Sequence, residues 1–471
     1  MQPPARSTTV ERRDFFSLMA AGAGAGLLGA VAPEARANWG MVAPGPVPPE
    51  GFDGRLLVNK PRAYEVMERE GLDGIVALNP VNVFYLGNYI GYELQKLRAI
   101  PSFAVMPRDP KQPTFLVAAG TDLLFLANGD REYPDIIPYT FPVEIEKYLE
   151  KADWSVEPQA APVGGGPVLE SGLQPKERQW QSFGQRVASR RAATPEWGLV
   201  RALELAGLSR GKVAVDDMRI ADVLRSLGRS GVTCVPGDNT FRKIRLIKSE
   251  VELKHMRAIA RINQDACVAM LKQVRRGTTK DQIDQSFMVE AAKRGAKAMW
   301  IATGTIGGLT QGKVVEGEPM MVDAVCQRNF YHGDFGRTVV LGEPSKELQA
   351  CMVSLRVGSA TVLEKARPGM KYSQLRQIVG DAMTQAYTGN IPIRFGAGPH
   401  SVGLQHTDQP YRDGVPFVVS DDLTLEENMT LTVDLPTSML GWGAIHCEDL
   451  LVVTKTGLEP LATADGPLIV I

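Results

Sequence analysis

Met320–Gly342, MMVDAVCQRNFYHGDFGRTVVLG, is the stretch on which the fold turns. Val322, Val325, Phe330, Tyr331, Val339 and Val340 favour strands, and Gln327, Arg328 and Asn329 form a polar break between them. The pattern predicts a hairpin with its turn at those three residues. Such a hairpin brings Asp323 and Asp334 to one point. Two buried like charges repel, so they need a cation between them or one must take a proton. A divalent metal, single or paired, is the sharper reading, and two solvated aspartates at hairpin edges is the plainer one.

Working outward, the chain of 471 residues is long enough for two or three domains. A charged fraction of 22% and a net charge of −1, with no long basic run, exclude a nucleic-acid binder. The N-terminus is a targeting segment. Arg12-Arg13 precedes the apolar run Leu18–Ala32, and Ala35-Arg36-Ala37 is a small-x-small cleavage signal. The apolar run is too short and too rich in glycine to predict a stable membrane span. Residues 1–37 are therefore expected to be a twin-arginine signal peptide, cleaved after Ala37, and the mature protein periplasmic. The five cysteines have no CxxC spacing and are expected as buried apolar side chains.

Residues 38–54 form a Pro/Gly-rich lead-in. From Arg55 helices and short strands alternate, an α/β pattern running to Arg242. Within it, 157–176 carries Pro158, Pro162, Gly164–Gly166, Pro167 and Pro175, and is an insertion. Ser249 with Glu252 three residues on is a capping box and opens a long helix. A second domain starts at 243, with helices at Asp281–Arg294 and Glu347–Arg367. Its strands are expected at Met320–Ala324, Arg337–Leu341, Thr430–Val433 and Ile445–Val453.

All five histidines, His255, His332, His400, His406 and His446, fall in this second domain. His400 lies in the glycine-rich Phe395–Gly403, where backbone can approach a ligand closely. Asp434 ends an apolar strand and Glu448 begins another. Charges set among strand hydrophobes are costly unless paired or metal-bound.

The order Asp323, Asp334, His400, Asp434, Glu448, spread over about 125 residues, resembles the pita-bread metallopeptidase family. That family includes methionine aminopeptidase, aminopeptidase P and prolidase, with creatinase as a metal-free relative. Asn79-Pro80-x-Asn82-x-x-Tyr85-Leu86 and Ile244-Arg245-x-Ile247-Lys248-Ser249-Glu250 are similar to its prolidase and creatinase branch. The resemblance implies an α/β (α+β) protein of two domains. Residues 55–242 would form a creatinase-like N-terminal domain. Residues 243–471 would form a pita-bread domain, with a curved antiparallel sheet and covering helices. It implies Asp323, Asp334, His400, Asp434 and Glu448 as ligands of one or two divalent transition metals (Mn, Co, Fe or Zn). It further implies a water activated for amide cleavage, a short-peptide or small-molecule substrate, and a homodimer.

Three positions depart from the family pattern. Asp434 stands where Glu is usual, shortening the reach by about 1 Å, at the position expected of a general base. His406 follows His400 by six residues instead of seven, a spacing that resembles the dimethylsulfoniopropionate lyase branch. His446 replaces an Arg. His446 with Glu448, and His332 with Asp334, are two apart on expected strands and should share a face. Asp434, His332, His406 and His446 are thus the candidate catalytic residues, with His406 first for acid–base work or oxyanion stabilisation. Arg337 is expected to support the ligands and His255 to be structural. An Xaa-Pro peptidase is the leading reading. A lyase or non-peptide C–N hydrolase on the same metals, and a non-catalytic binding module, are the alternatives.

Overall fold

The computed structural model describes residues 53–471, apart from 92–100, 129, 151–153, 164–166, 306–307, 413–414, 416–417 and 463–465. The signal peptide and most of the lead-in lie outside the described residues. Pro49–Ile471 forms one compact unit.

The first half builds a mixed six-stranded sheet. Its strands are β1 (Gly74–Ala77), β2 (Phe103–Pro107), β3 (Phe115–Ala119), β4 (Asp135–Tyr139), β5 (Gly211–Val215) and β6 (Val232–Pro236), in the order β4-β3-β2-β1-β5-β6. Every residue of β1, β2 and β3 is buried, which their unbroken apolar runs require. Helix Pro80–Gly87 follows β1 because Asn79 caps it, accepting from the Val81 amide at 3.0 Å, and Pro80 needs no amide partner at the first turn. The insertion stays peripheral, tied down by Glu157 against Arg201 at 2.6 Å.

The second half opens with helix Glu250–Leu271, started by the Ser249–Glu252 capping box as the sequence predicts. β7 (Lys297–Gly304), β8 (Met320–Arg328), β9 (Tyr331–His332) and β10 (Phe335–Val340) follow. The hairpin turn falls at Asn329–Phe330, one residue later than the polar residues suggested. Arg328 pairs with Tyr331, and both turn residues have positive φ (50° and 63°). This is the two-residue hairpin geometry that matches strand twist. Phe330 adopts it while packing on Phe84 at 5.5 Å between ring centroids, so tertiary packing overrides its strand preference.

β11 (Gly398–Ser401) and β12 (Thr430–Asp434) precede a segment expected as one strand, Ile445–Val453. It is three. β13 (Thr437–Met439) pairs with β14 (Gly443–Ile445), β15 (Glu448–Asp449) joins β10, and β16 (Leu451–Val453) joins β12. The chain changes sheets at His446–Cys447 and again at Leu450, so no single strand could serve all three partners. β17 (Leu458–Pro460) and β18 (Leu468–Val470) complete two antiparallel layers, β15-β10-β8-β7 and β11-β12-β16-β17, with β18 parallel to β10. Helices Lys280–Lys293, Lys346–Lys365 and Tyr372–Ala386 accompany them. One buried cluster takes Phe84 and Tyr85 from the first half and Met256 and Tyr331 from the second. Among the described residues, no helix is long and apolar enough to cross a membrane. All five cysteines are free thiols, four of them buried, as expected of apolar filler.

Candidate metal centre

Strand register assembles the acids. Gly336 of β10 lies opposite Asp323 of β8 on one side and Glu448 of β15 on the other. The three residues make one cross-strand row, and the two acids flank a position with no side chain. A Cβ on Gly336 would stand 2.3 Å from His446 Cε1 and 2.4 Å from its Nδ1. The missing side chain is the space that the imidazole fills. In the second layer His400 pairs with Thr432, and Asp434 lies two residues further along the same strand, so all three share a face. His400 Nε2 meets Thr432 Oγ1 at 3.2 Å.

The two faces meet at one point. Three overlapping groups have their ligand atoms within 4.8 Å of one another: Asp334, His400 and His406; Asp323, His446 and Glu448; and His400, Asp434 and Glu448. His400 Nε2 stands 3.3 Å from Asp434 Oδ2 and 3.8 Å from both Asp334 Oδ2 and Glu448 Oε1. His446 Nε2 lies 3.3 Å from Asp434 Oδ1 and 3.5 Å from Glu448 Oε2. The Asp334 side chain is 1% exposed, and neither of its oxygens has a hydrogen-bond partner among the described residues. Asp323 Oδ1 and Glu448 Oε1 are buried in the same state. A buried carboxylate left this way costs several kcal/mol, roughly, unless a cation meets it. The donor set of carboxylate oxygens with imidazole nitrogen therefore fits divalent transition metals.

The acids share too little solvent to ionise together. Burial raises Asp323 to about 6, with the Asp334 charge adding to it. Complete burial, then the charges of Asp334 and Asp434, hold Glu448 well above the usual carboxylate range. Burial also acts to raise Asp434, but hydrogen bonds with His400, His446 and Glu448 outweigh it and keep this carboxyl low. Burial works against a charged His400, yet the Asp434 hydrogen bond and the Asp334 charge lift it to about 9. Glu448 and His400 thus favour their protonated forms at the place where a cation would act.

The other candidates separate. His446 lies outside any strand but reaches the acids through the gap over Gly336. His406 turns Nε2 toward Asp334. His332, in β9, is buried, with Nε2 3.3 Å from Gln327 Nε2, and belongs to none of the three groups. The chain turns at Gly333 between His332 and Asp334, so the shared strand face expected for that pair does not form. Arg337 is fully buried and donates to the Glu448 carbonyl at 2.7 Å and to Asp449 Oδ1 at 2.6 Å, bracing the strand that carries Glu448. His255 stacks on Tyr331 at 5.2 Å, away from the acids.

Sequence reasoning missed Gly336, Trp300 and the Arg245–Asp408 pair. The Trp300 ring meets that of His406 edge-on at 4.7 Å. Arg245 bonds Asp408 at 2.6 Å and Gln405 at 2.8 Å, fixing the loop on both sides of His406. Arg245 was visible only within the motif Ile244–Glu250, and its partner lies 163 residues away.

Residues 254–455 match metallopeptidase family M24. The chain carries an M24 domain. The chain is 23% identical over 241 residues to the Xaa-Pro dipeptidase of Pyrococcus horikoshii, covering 49% of this chain and 67% of that protein. It is 24% identical over 308 residues to a probable dipeptidase, PepE, of Mycobacterium tuberculosis, covering 63% and 79%. The solved prolidase from P. horikoshii superposes with a TM-score of 0.57 at 16% identity, covering 87% of this chain and 99% of that one. An X-Pro aminopeptidase from Thermotoga maritima gives 0.58 at 17%, covering 86% and 99%. These structures share the fold. The M24 match over residues 254–455 and the fold shared with the solved prolidase support a metallopeptidase-like hydrolase of the pita-bread type.

Proposed function

We propose that this M24 protein is a metal-dependent hydrolase of the Xaa-Pro peptidase type, cleaving an amide bond in short peptides. The convergence of Asp323, His400, Asp434 and Glu448 from four strands with Asp334 from the turn before β10 carries the reading, above all the buried Asp334 carboxylate without a hydrogen bond among the described residues. The names of the relatives at 22–24% identity support the substrate class. These five residues would hold one or two divalent metals (Mn, Co, Fe or Zn), which when bound lower the pKa of water enough to make a nucleophile near neutral pH.

The remaining work belongs to the chain. Asp434 is 27% exposed, against 1% for Asp334 and 2% for Glu448, so it has better access to an incoming water than those two carboxylates. It accepts the water's proton and returns it to the leaving amine. His446, 3.3 Å behind it, hydrogen-bonds Asp434 and holds it in orientation. Trp300, 39% exposed, offers an apolar wall beside the centre for the substrate's ring or side chain.

Residues 55–242 serve as a creatinase-like domain shaping the pocket, and residues 243–471 as the catalytic domain. The mature chain is a periplasmic homodimer exported by the twin-arginine route. The purified protein is assayed on Xaa-Pro dipeptides and on longer peptides beginning Xaa-Pro. Hydrolysis that stops with chelator and returns with Mn, Co, Fe or Zn is expected. A metal-loaded protein that cleaves none of them would overturn the reading.

A further inference from the structure

We propose that His406 is itself a metal ligand. On this assignment Asp334, His400 and His406 form a two-imidazole, one-carboxylate site for a zinc-class divalent ion. The inference rests on the metal centre proposed above and gives His406 a task other than the acid–base one expected from its sequence position.

The geometry is that of ligands around a shared point. His406 Nε2 is 3.0 Å from Asp334 Oδ2, and His400 Nε2 is 3.8 Å from the same oxygen. Two donors each about 2.1 Å from one ion lie about 3.0–3.4 Å apart; the His406–Asp334 contact already meets that spacing, and the His400–Asp334 contact exceeds it by a few tenths of an ångström. The short contact between His406 and Asp334 is not a hydrogen bond, because the oxygen lies off the line of the ring N–H. Two lone pairs aimed at a common third atom produce that combination of closeness and misalignment. The two imidazoles, 4.9 Å apart, are tilted by 49° instead of stacked, and with the Asp334 oxygen their ligand nitrogens lie within 4.8 Å of one another.

The ring is also held as a ligand is held. Its other nitrogen faces Thr407 Oγ1 at 3.5 Å, on the far side from the acids, where ligating imidazoles take their supporting partner. Trp300 packs edge-on against it. Arg242 donates to the carbonyls of Thr407 and Gln409, each at 3.2 Å, and Arg245 grips Asp408 and Gln405. A side chain meant to swing between substrate and solvent gains nothing from a loop fixed at Gln405 on one side of it and at Thr407, Asp408 and Gln409 on the other. A ligand does, because its donor atom must be preorganised to within about 0.5 Å. A second imidazole also shifts preference from Mg and Ca toward Zn, Co and Fe.

Zinc and manganese are titrated by calorimetry into chelator-stripped, full-length protein, and the cobalt-loaded form is followed by its visible absorption. His406→Gln and Asp334→Asn are compared with the parent. Both substitutions should weaken zinc binding at one site at least tenfold and change the cobalt spectrum. His406→Gly should recover affinity on addition of free imidazole, which separates lost ligation from a damaged fold. If Asp334→Asn loses zinc while His406→Gln keeps parental affinity and spectrum and only turnover falls, His406 is a free acid–base group. That result overturns this inference and leaves the metal centre standing. Failure of the parent to bind any of the three metals would overturn both.

Discussion

Breaking the buried Arg245–Asp408 pair should destabilise the protein more than almost any other single polar change. The two side chains are each 1% exposed and 2.6 Å apart. In Asp408→Ala, Arg245 keeps Gln405 and Asn82 as acceptors but loses its counter-charge, and the Leu404 amide loses the Asp408 oxygen at 3.1 Å. Lys248 Nζ, which bonds the Arg245 carbonyl at 2.7 Å, also faces this carboxylate, so two buried cations lose their anion. Stranding one member of such a pair costs about 3–5 kcal/mol. Arg245→Met combined with Asp408→Ala removes both charges and should cost less than the two single changes together, by about 2–3 kcal/mol of coupling. Urea unfolding of the metal-free parent, each single variant and the double variant, followed by tryptophan fluorescence, measures all four corners. Metal is stripped so that binding does not mask the fold's own stability. Strictly additive costs, or Asp408→Ala below about 1 kcal/mol, would refute the reasoning.

Gly336→Ala places a Cβ 2.3 Å from His446 Cε1 and 2.9 Å from Glu448 Cβ. His446 and Glu448 must then shift, and metal affinity should fall about 10–100-fold, read by competition with a chromogenic chelator; parental affinity would show that the row over Gly336 is not a supporting element. Complete burial lifts Glu252 from 4.5 to about 8, against the pull of Lys248. The folded state therefore binds this proton more tightly than the unfolded chain. Its contribution to stability is complete below about pH 4.5 and is lost as pH rises through about 8. The melting temperature should fall across that window, and Glu252→Gln should flatten the fall; an equally steep fall in the variant would assign it to other groups. Replacing Arg12 and Arg13 together by Lys should leave the precursor unprocessed in the cytoplasm, seen by fractionation, whereas normal processing would count against twin-arginine export.

Local signals were legible in the sequence because their physics is local. Ser249 and Glu252, three residues apart, close a capping box with each other. Asn79-Pro80 starts a helix, and the apolar run of β1 can only be buried. The order of Asp323, Asp334, His400, Asp434 and Glu448 pointed to a metal centre, because such residues among strand hydrophobes need one another. The limits were equally local. The turn was misplaced by one residue because Phe330 pays for a positive φ with its contact to Phe84, 246 residues earlier. Ile445–Val453 looked like one strand because its composition carries no record of three different partners.

Which atoms meet was decided only in three dimensions. Register across β8, β10 and β15 sets Asp323 and Glu448 on either side of an empty glycine position, and His446 enters there although it lies in no strand. Arg245, read as part of a motif, meets Asp408 163 residues on and fixes the loop that turns His406 onto Asp334. Composition and periodicity determine which segments become strands and which side chains must be shielded from water. Pairing between distant segments determines which charges share that shelter, because the energy of a buried carboxylate depends on what stands about 3 Å from it, and not on its neighbours along the chain.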